Sequence, residues 1–417
     1  MSKIICFVAM AHHSRFLFPV VEALKEKGHN RLYFTTASDF PFEADAYKQG
    51  YPCNLMQSYT NNTIRKTIDE DINKFFDIWK DRVFIIPALQ QWPMTSSISL
   101  MTNAIKEYHH IQELFRQEKP DLLIALHERN RWGKLFGHLC RKFKIPYLTF
   151  QEGDYYEDRL SFSVHTEYTS VLLGWGQHTK DRLVKLGCDP DKIVLTGNTH
   201  LQNVLKNTID KEEIIKSLKL DPKKKTVLFL VGIQWGVRFQ DQMWKNFLYW
   251  FKNNPEWQAI IKWHPKVTYN SYVTISKYMT ENFPGCIFLH NYDPYKLIPI
   301  ADWVVALGKT TAAVEALCWN KPLITARGFD DRIDDLHEWN VSQPLEPFKK
   351  QLWKMLEGQV PQVTQDGSSA FLDSYFYKKN TQAIEIAVDT AEQLMYNEYK
   401  DPWNPDFDNQ FLERIKD

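Results

Sequence analysis

The run from Ala301 to Ala326 limits the fold of this chain more than any other stretch, because it reads as a complete strand–helix–strand unit. Asp302 to Leu307 is short, apolar and rich in β-branched side chains, so it reads as a buried strand. Gly308-Lys309-Thr310-Thr311 makes a tight turn, and Ala312 to Cys318 forms a compact helix with Val314 and Leu317 spaced to face a sheet. Asn320-Lys321-Pro322 stops that helix, and Leu323 to Ala326 opens the next strand. The turn sets a glycine, a cation and two hydroxyls at a helix N-terminus, where free N–H groups and the positive end of the helix dipole favour a phosphate. A simple N-cap role for Thr310 or Thr311 accounts for the same residues.

The same rhythm recurs on both sides. Lys3 to Ala9 is a strand, followed by His12-His13-Ser14-Arg15 and a helix from about Phe16 to Lys27 with Pro19 in its first turn; Arg31 to Thr36 is the second strand. This is a Rossmann-like start without GxGxxG, so the dinucleotide fingerprint is absent. His12, His13 and Arg15 lie where the first strand ends, which is the ligand edge of such sheets, although ordinary turn positions would look alike. Residues 60–118 differ: Ile64 to Trp79 and Ser97 to Phe115 show helical spacing, broken by Trp92-Pro93, and predict an all-helical insertion. From Pro120 strands return at Asp121 to Leu126, Pro146 to Phe150, Ser170 to Gly174 and Lys192 to Leu195, with a helix at Trp132 to Phe143.

A charged, apolar-poor stretch over 206–224 predicts a short helix and linker between domains. Beyond it come strands at Thr226 to Val231, Gln258 to Trp263 and Cys286 to Leu289, with a helix at Asp241 to Asn253 after the first, then the opening unit, and helices at about Pro347 to Leu356 and Ser368 to Tyr399. The expected architecture is α/β, with Rossmann-like domains over 1–205 and 225–400 facing across a cleft and a helical insertion at about 60–118 in the first. The tail 401–417 is expected to lead back onto the first domain.

At 417 residues the chain has room for about two or three domains. Lys and Arg number 51 against 51 Asp and Glu, so no electrostatic case exists for a nucleic-acid partner. No apolar run is long enough to span a bilayer, and the chain starts directly with a strand, so a cytoplasmic protein is expected. Peripheral contact with the inner face of a membrane through the helical insertion stays open, since no basic amphipathic run demands it. Six cysteines are scattered without CxxC spacing and read as reduced core residues. Asp406-Phe407-Asp408 has DxD spacing but lies in a polar tail, and no His/Cys/Asp cluster has ligand spacing, so no metal cofactor is expected.

Four strand ends carry chemistry suited to the carboxyl edge of an open sheet: Glu152 with Asp154, Gly232 with Gln234, Lys262 with His264, and Lys309 with Thr310 and Thr311. Lys262 and His264 share one strand face, and Pro265 fixes the chain beyond them; this cation pair suits a diphosphate, while a solvated strand end is the plainer reading. A carboxylate such as Glu152 at a cleft can deprotonate an acceptor hydroxyl. Asp154 is its rival, His12 or His13 the fallback, and a merely solvated acidic loop with Glu157 and Asp158 the plainer reading.

Taken together, these residues resemble the two-domain GT-B glycosyltransferases. More narrowly, Gln151-Glu152-Gly153, Lys262-Trp263-His264-Pro265 and Lys309-Thr310-Thr311 look like three motifs of bacterial capsule and lipooligosaccharide transferases. That group comprises the polysialyltransferases, the capsule Kdo transferases and the teichoic-acid glycerophosphotransferases. The resemblance implies Glu152 as general base, His264 and Thr310/Thr311 on the nucleotide phosphate, and Glu315 on ribose hydroxyls. It departs from the pattern in two places: Gln151 stands for the first acid, and Lys-Thr-Thr for a serine-rich motif. Thr196-Gly197-Asn198-Thr199 also looks like the TGN segment of UDP-N-acetylglucosamine 2-epimerases, whose Gly-Thr-Arg-Pro-Glu opening is replaced here by Ala11-His12-His13-Ser14-Arg15. The expectation is an inverting, metal-independent transferase. It moves a sugar or polyol phosphate from a CMP- or CDP-linked donor to a glycan or lipid-linked acceptor. His13 is a further catalytic candidate, Gly232, Gln234, Lys262, Pro265 and Lys309 are donor-binding candidates, and His12 and Arg15 are acceptor-binding candidates. The alternatives are a UDP-sugar enzyme, epimerase or transferase, and a non-catalytic nucleotide-sugar-binding subunit.

Overall fold

The computed structural model describes residues 1–36, 51, 53–82, 94–153, 166–207, 209–232, 250–264, 273, 276–277, 280–282, 285–290, 292–307, 310–326, 343–345 and 365–396. Contacts divide the chain into two compact units, Met1–Asn203 with Phe376–Asp417, and Val204–Tyr375.

The first unit is built on a seven-stranded, all-parallel sheet. Its strands are β1 (Lys3–Phe7), β2 (Asn30–Thr35), β3 (Cys53–Leu55), β4 (Leu122–Ala125), β5 (Tyr147–Phe150), β6 (Val171–Gly174) and β7 (Ile193–Leu195), in the order β3-β2-β1-β4-β5-β6-β7. The central strands β4, β5 and β6 are buried at every position, as a sheet covered on both faces requires. Helix α1 (Ala11–Glu26) follows β1 and packs Phe16, Leu17, Val20, Val21 and Leu24 inward. Helices α2 (Asn62–Arg82) and α3 (Met94–Glu118) form the insertion, α4 (Arg131–Phe143) crosses from β4 to β5, α5 (Gln177–Lys185) lies between β6 and β7, and α6 (Thr199–Lys206) follows β7. Ile111, Leu114 and Phe115 of α3 join Phe136 and Leu139 of α4 and Ile5, Phe7, Leu123 and Tyr147 of the sheet in one core cluster, so the insertion is bound to the sheet by buried apolar surface. Crossovers leave the sheet in opposite directions from β1 and β4, which makes their junction the topological switch point.

The second unit repeats the plan with six parallel strands: β8 (Lys225–Val231), β9 (Trp257–Trp263), β10 (Cys286–Leu289), β11 (Trp303–Leu307), β12 (Leu323–Ala326) and β13 (Gln343–Leu345). Their order is β10-β9-β8-β11-β12-β13, with the switch point between β8 and β11, and the short helix α8 (Pro294–Leu297) precedes β11. The fold class expected from the sequence, two Rossmann-like α/β units of GT-B type with a helical insertion in the first, is therefore the one observed.

Several details differ from expectation. Helix α1 begins at Ala11 rather than Phe16, because Met10 takes the extended N-cap conformation, so His12, His13 and Arg15 stand in its first turn and Pro19 in its interior. The short helix expected in the linker 206–224 is present as α7 (Lys211–Ser217), capped by Asp210, but it belongs to the second unit and not to a separate linker. The single helix expected at Ser368 to Tyr399 is broken: α10 (Gln365–Tyr375) ends the second unit, and α11 (Ala383–Met395) lies in the first, not in a domain running to residue 400. Three successive left-handed residues, Lys378, Lys379 and Asn380, make the break. The Asn380 side chain secures it by accepting from the Asn198 N–H and donating to the Asn198 carbonyl at 3.0 Å. Lys27 and His29 then hold Glu392 of α11 at 2.6 and 3.2 Å. The predicted helices at 241–253 and 347–356 lie wholly or mostly outside the described residues, as does the 401–417 tail.

Candidate active site

At the switch point of the first unit, three elements deliver four titratable side chains to one place. β1 leads into α1 and so to His12 and His13; β4 ends at Leu126 and hands on His127; β5 ends at Phe150 and hands on Glu152. The Glu152 carboxylate spans two imidazoles, with Oε1 at 2.9 Å from His12 Nε2 and Oε2 at 3.1 Å from His127 Nε2. The His13 ring sits edge-on to both, 4.7 Å from His12 and 5.6 Å from His127 between centroids.

Burial alone would raise the Glu152 carboxyl, but the hydrogen bonds and charge of His12 and His127 outweigh it and hold the group well below the usual carboxylate range. Glu152 is thus ionised at any working pH. An ionised carboxylate only accepts, so both histidines donate from Nε2, and in their neutral forms each keeps its lone pair on Nδ1. Burial, aided by His12 and His127 and opposed by Glu152, lowers the His13 imidazole to about 3, so it stays neutral. His12 and His127 are unlike in exposure: 38% of the His12 side chain is open to solvent, against 10% for His127.

The surroundings are rigid. Gln151, standing where the resemblance expects an acid, uses its amide structurally: it accepts from the Trp175 N–H and donates to the Gly153 carbonyl and Thr179. Glu128, buried at 1% exposure, accepts the backbone N–H groups of Glu167, Tyr168 and Thr169 at 2.6, 3.0 and 2.7 Å. Burial pushes its carboxyl up to about 7, although those three bonds act in the opposite sense. Arg15 is exposed in the first turn of α1, one turn from the cluster.

In the second unit the candidates stand apart from one another in character. Gly232 follows β8, and its N–H is engaged by the Leu307 carbonyl at 2.8 Å. Lys262 near the end of β9 is 5% exposed, donates to the Trp263 carbonyl at 2.5 Å, and has its ammonium lowered by burial to about 8, with Asp293 opposing. His264 is half-buried just beyond the same strand. Thr310 takes the N-cap position of the short helix α9 (Thr311–Ala316), but its hydroxyl makes no capping hydrogen bond. Glu315, implied on ribose hydroxyls, is 2% exposed, and its Oε2 accepts from the Tyr295 hydroxyl at 2.7 Å. Asp154, Gln234, Pro265 and Lys309 lie outside the described residues. Among the described residues, no group of three or more His, Cys, Asp or Glu side chains is arranged to hold a metal ion, and no helix is long and apolar enough to cross a membrane.

Sequence reasoning assigned no role to His127 or Glu128, although both stand directly after a predicted strand; that position was the available signal. The TGN segment serves packing: Gly197 is left-handed, and a Cβ there would stand 2.6 Å from Asn380 Oδ1.

The fold and these strand-end clusters define a class, the two-unit parallel α/β proteins of GT-B type. Solved structures bear this out over nearly the whole chain. The chain is similar to a UDP-GlcNAc 2-epimerase from Neisseria meningitidis solved bound to UDP-GlcNAc, with a TM-score of 0.65 at 12% identity over 94% of this chain and 100% of that one. It is likewise similar to the UDP-GlcNAc 2-epimerase of Methanocaldococcus jannaschii, with a TM-score of 0.63 at 14% identity over 94% and 99%. Anabaena Alr3699/HepE, solved in complex with UDP and glucose, aligns with a TM-score of 0.54 at 12% identity over 95% and 100%. No protein-family model and no curated protein matches the sequence.

Proposed function

We propose that this chain is a UDP-sugar enzyme that uses His12, backed by Glu152, as general base on a hydroxyl. The observation that carries the reading is the Glu152 carboxylate holding His12 Nε2 at 2.9 Å at the switch point of the first sheet. A carboxylate-oriented imidazole with a free second nitrogen is the arrangement that activates a hydroxyl nucleophile. In an inverting transfer the acceptor oxygen would bond to the sugar's anomeric carbon. The anomeric C–O bond to the diphosphate would break, its electron pair would leave with UDP, and the hydroxyl proton would pass to His12 Nδ1. Glu152 then acts through His12, not as the base itself, because a carboxylate held so far below its usual range is a weak proton acceptor. Preference for a uridine donor is supported by the UDP and UDP-GlcNAc present in similar structures. Lys262, His264, Thr310 and the start of α9 are the groups proposed for the donor phosphates, which makes the transfer independent of metal.

Epimerisation at C2 of UDP-GlcNAc is the second reading. It is favoured by the high-coverage similarity to two epimerases and by the TGN segment. A thermal-shift screen with UDP, UDP-GlcNAc, UDP-glucose, CMP and CDP, followed by turnover in EDTA with and without glycan acceptors, separates the readings. Uridine ligands should raise Tm, and UDP release should require acceptor and survive EDTA. An epimer formed without acceptor identifies the second reading. Stabilisation by CMP or CDP alone returns the donor to the cytidine class expected from the capsule-transferase motifs. Binding without turnover on any acceptor leaves a nucleotide-sugar-binding subunit.

A further inference from the structure

We propose that His127 is a positioning residue: an imidazole that holds one oxygen of Glu152 so that the other is fixed on His12. Three observations converge on it. The two carboxylate oxygens are divided, one to each imidazole. His127 Nδ1 is buried and has no hydrogen-bond partner among the described residues. In its neutral form the ring therefore carries its proton on Nε2, toward Glu152, and not on Nδ1. The main chain at His127 is also clamped from both sides. Next to it, Glu128 is tied to three N–H groups of the 167–169 segment, and α4 packs so closely that a Cβ on Gly133 would stand 2.2 Å from the His127 carbonyl oxygen. The ring is therefore held in place by the fold, while His12 is the more exposed of the two imidazoles.

Among the described residues, His13 on α1 and Glu152 beyond β5 lie against His12, and His127 beyond β4 reaches it through the shared Glu152. Removing the His127 N–H leaves the Glu152 charge to His12 alone. The His12 imidazolium should then be better stabilised, and His12 should titrate higher.

The test is an NMR pH titration of the histidine ring signals in the full-length protein, with His12 assigned by its loss in His12→Asn. Wild-type His127 in its neutral form should carry its proton on Nε2. His127→Leu should move the His12 midpoint upward by about one unit. His127→Gln, whose amide can still donate to Glu152, should restore it. An unchanged His12 midpoint in a folded His127→Leu protein overturns the proposal. So does a neutral wild-type His127 that carries its proton on Nδ1, a result that does not depend on how well the leucine variant folds. A kinetic arm rests on the reading of His12 as the base: kcat should fall by up to about 100-fold in His127→Leu with KM little changed, and recover in His127→Gln. If wild-type protein turns over no UDP-sugar, that reading fails, while the titration still decides the role of His127.

Discussion

His13 and Glu128 are buried side chains of the same unit whose protonation pulls stability in opposite directions. His13 is lowered to about 3 from 6.5, so between those values the folded chain holds fewer protons than the unfolded one. Its contribution is fully present above 6.5 and is lost as pH falls toward 3. Glu128 is raised to about 7 from 4.5, so its contribution is present below 4.5 and is lost as pH rises to 7. Each slope reaches at most about 1.4 kcal/mol per pH unit. Between 4.5 and 6.5 the two oppose, and thermal melts of the wild type should show a shallow pH dependence there. His13→Gln should unmask a Tm that falls as pH rises through this window, and Glu128→Gln a Tm that falls on acidification. Parallel curves for all three proteins would remove these groups as the sensors. Glu152 adds a separate acid limb: its depressed carboxyl contributes above 4.5 and is lost below it.

Within the first unit, the segment after Phe376 meets the 197–198 turn at close quarters. Gly197 sits at φ +93°, and an added Cβ would meet Asn380 Oδ1 at 2.6 Å and Ala383 Cβ at 3.2 Å. Gly197→Ala combines backbone strain with disruption of the Asn380 clamp on Asn198, and should cost about 2–4 kcal/mol. Asn380→Ala removes both clamp bonds and a residue tolerant of the left-handed conformation. Because the two changes act on one contact, their combination in urea titrations should cost less than the sum of the single variants. A strictly additive result would show that Gly197 and Asn380 act separately.

At the level of the two units, the chain leaves the first at Asn203 and re-enters it at Phe376. Helix α11 contributes Ala383, Ala387, Val388, Ala391 and Leu394 to the buried surface, and Gln202 donates to Thr381 and Glu385 at 2.7 Å. A chain ending at Tyr375 should therefore lose stability in its first unit and leave the second nearly unchanged. Hydrogen exchange of the truncated protein reads this directly: protection should collapse in β1, β2 and α1 and persist in β8 and β9. Retained protection in α1 would show that α11 is dispensable.

Much of the architecture was legible in the linear order of residues. Buried parallel strands are written as short apolar runs and their crossover helices as 3.6-residue periods, and both depend on neighbours a few positions away. For the same reason the strand ends at His12, Glu152, Lys262 and Thr310 stand out in the sequence alone. Three features were not local and could not be read. Lys378 to Asn380 carry no glycine or proline to announce a break, so the helix expected across them looked continuous. The return of α11 to the first unit is set by Asn198 and Asn380, which are 182 positions apart. The division of Glu152 between His12 and His127 joins three strand ends that become neighbours only through the order β1-β4-β5. A carboxylate at the end of β5 looks like a base in one dimension. Two imidazoles brought to it by the sheet hold it ionised, and that contact changes the role proposed for it.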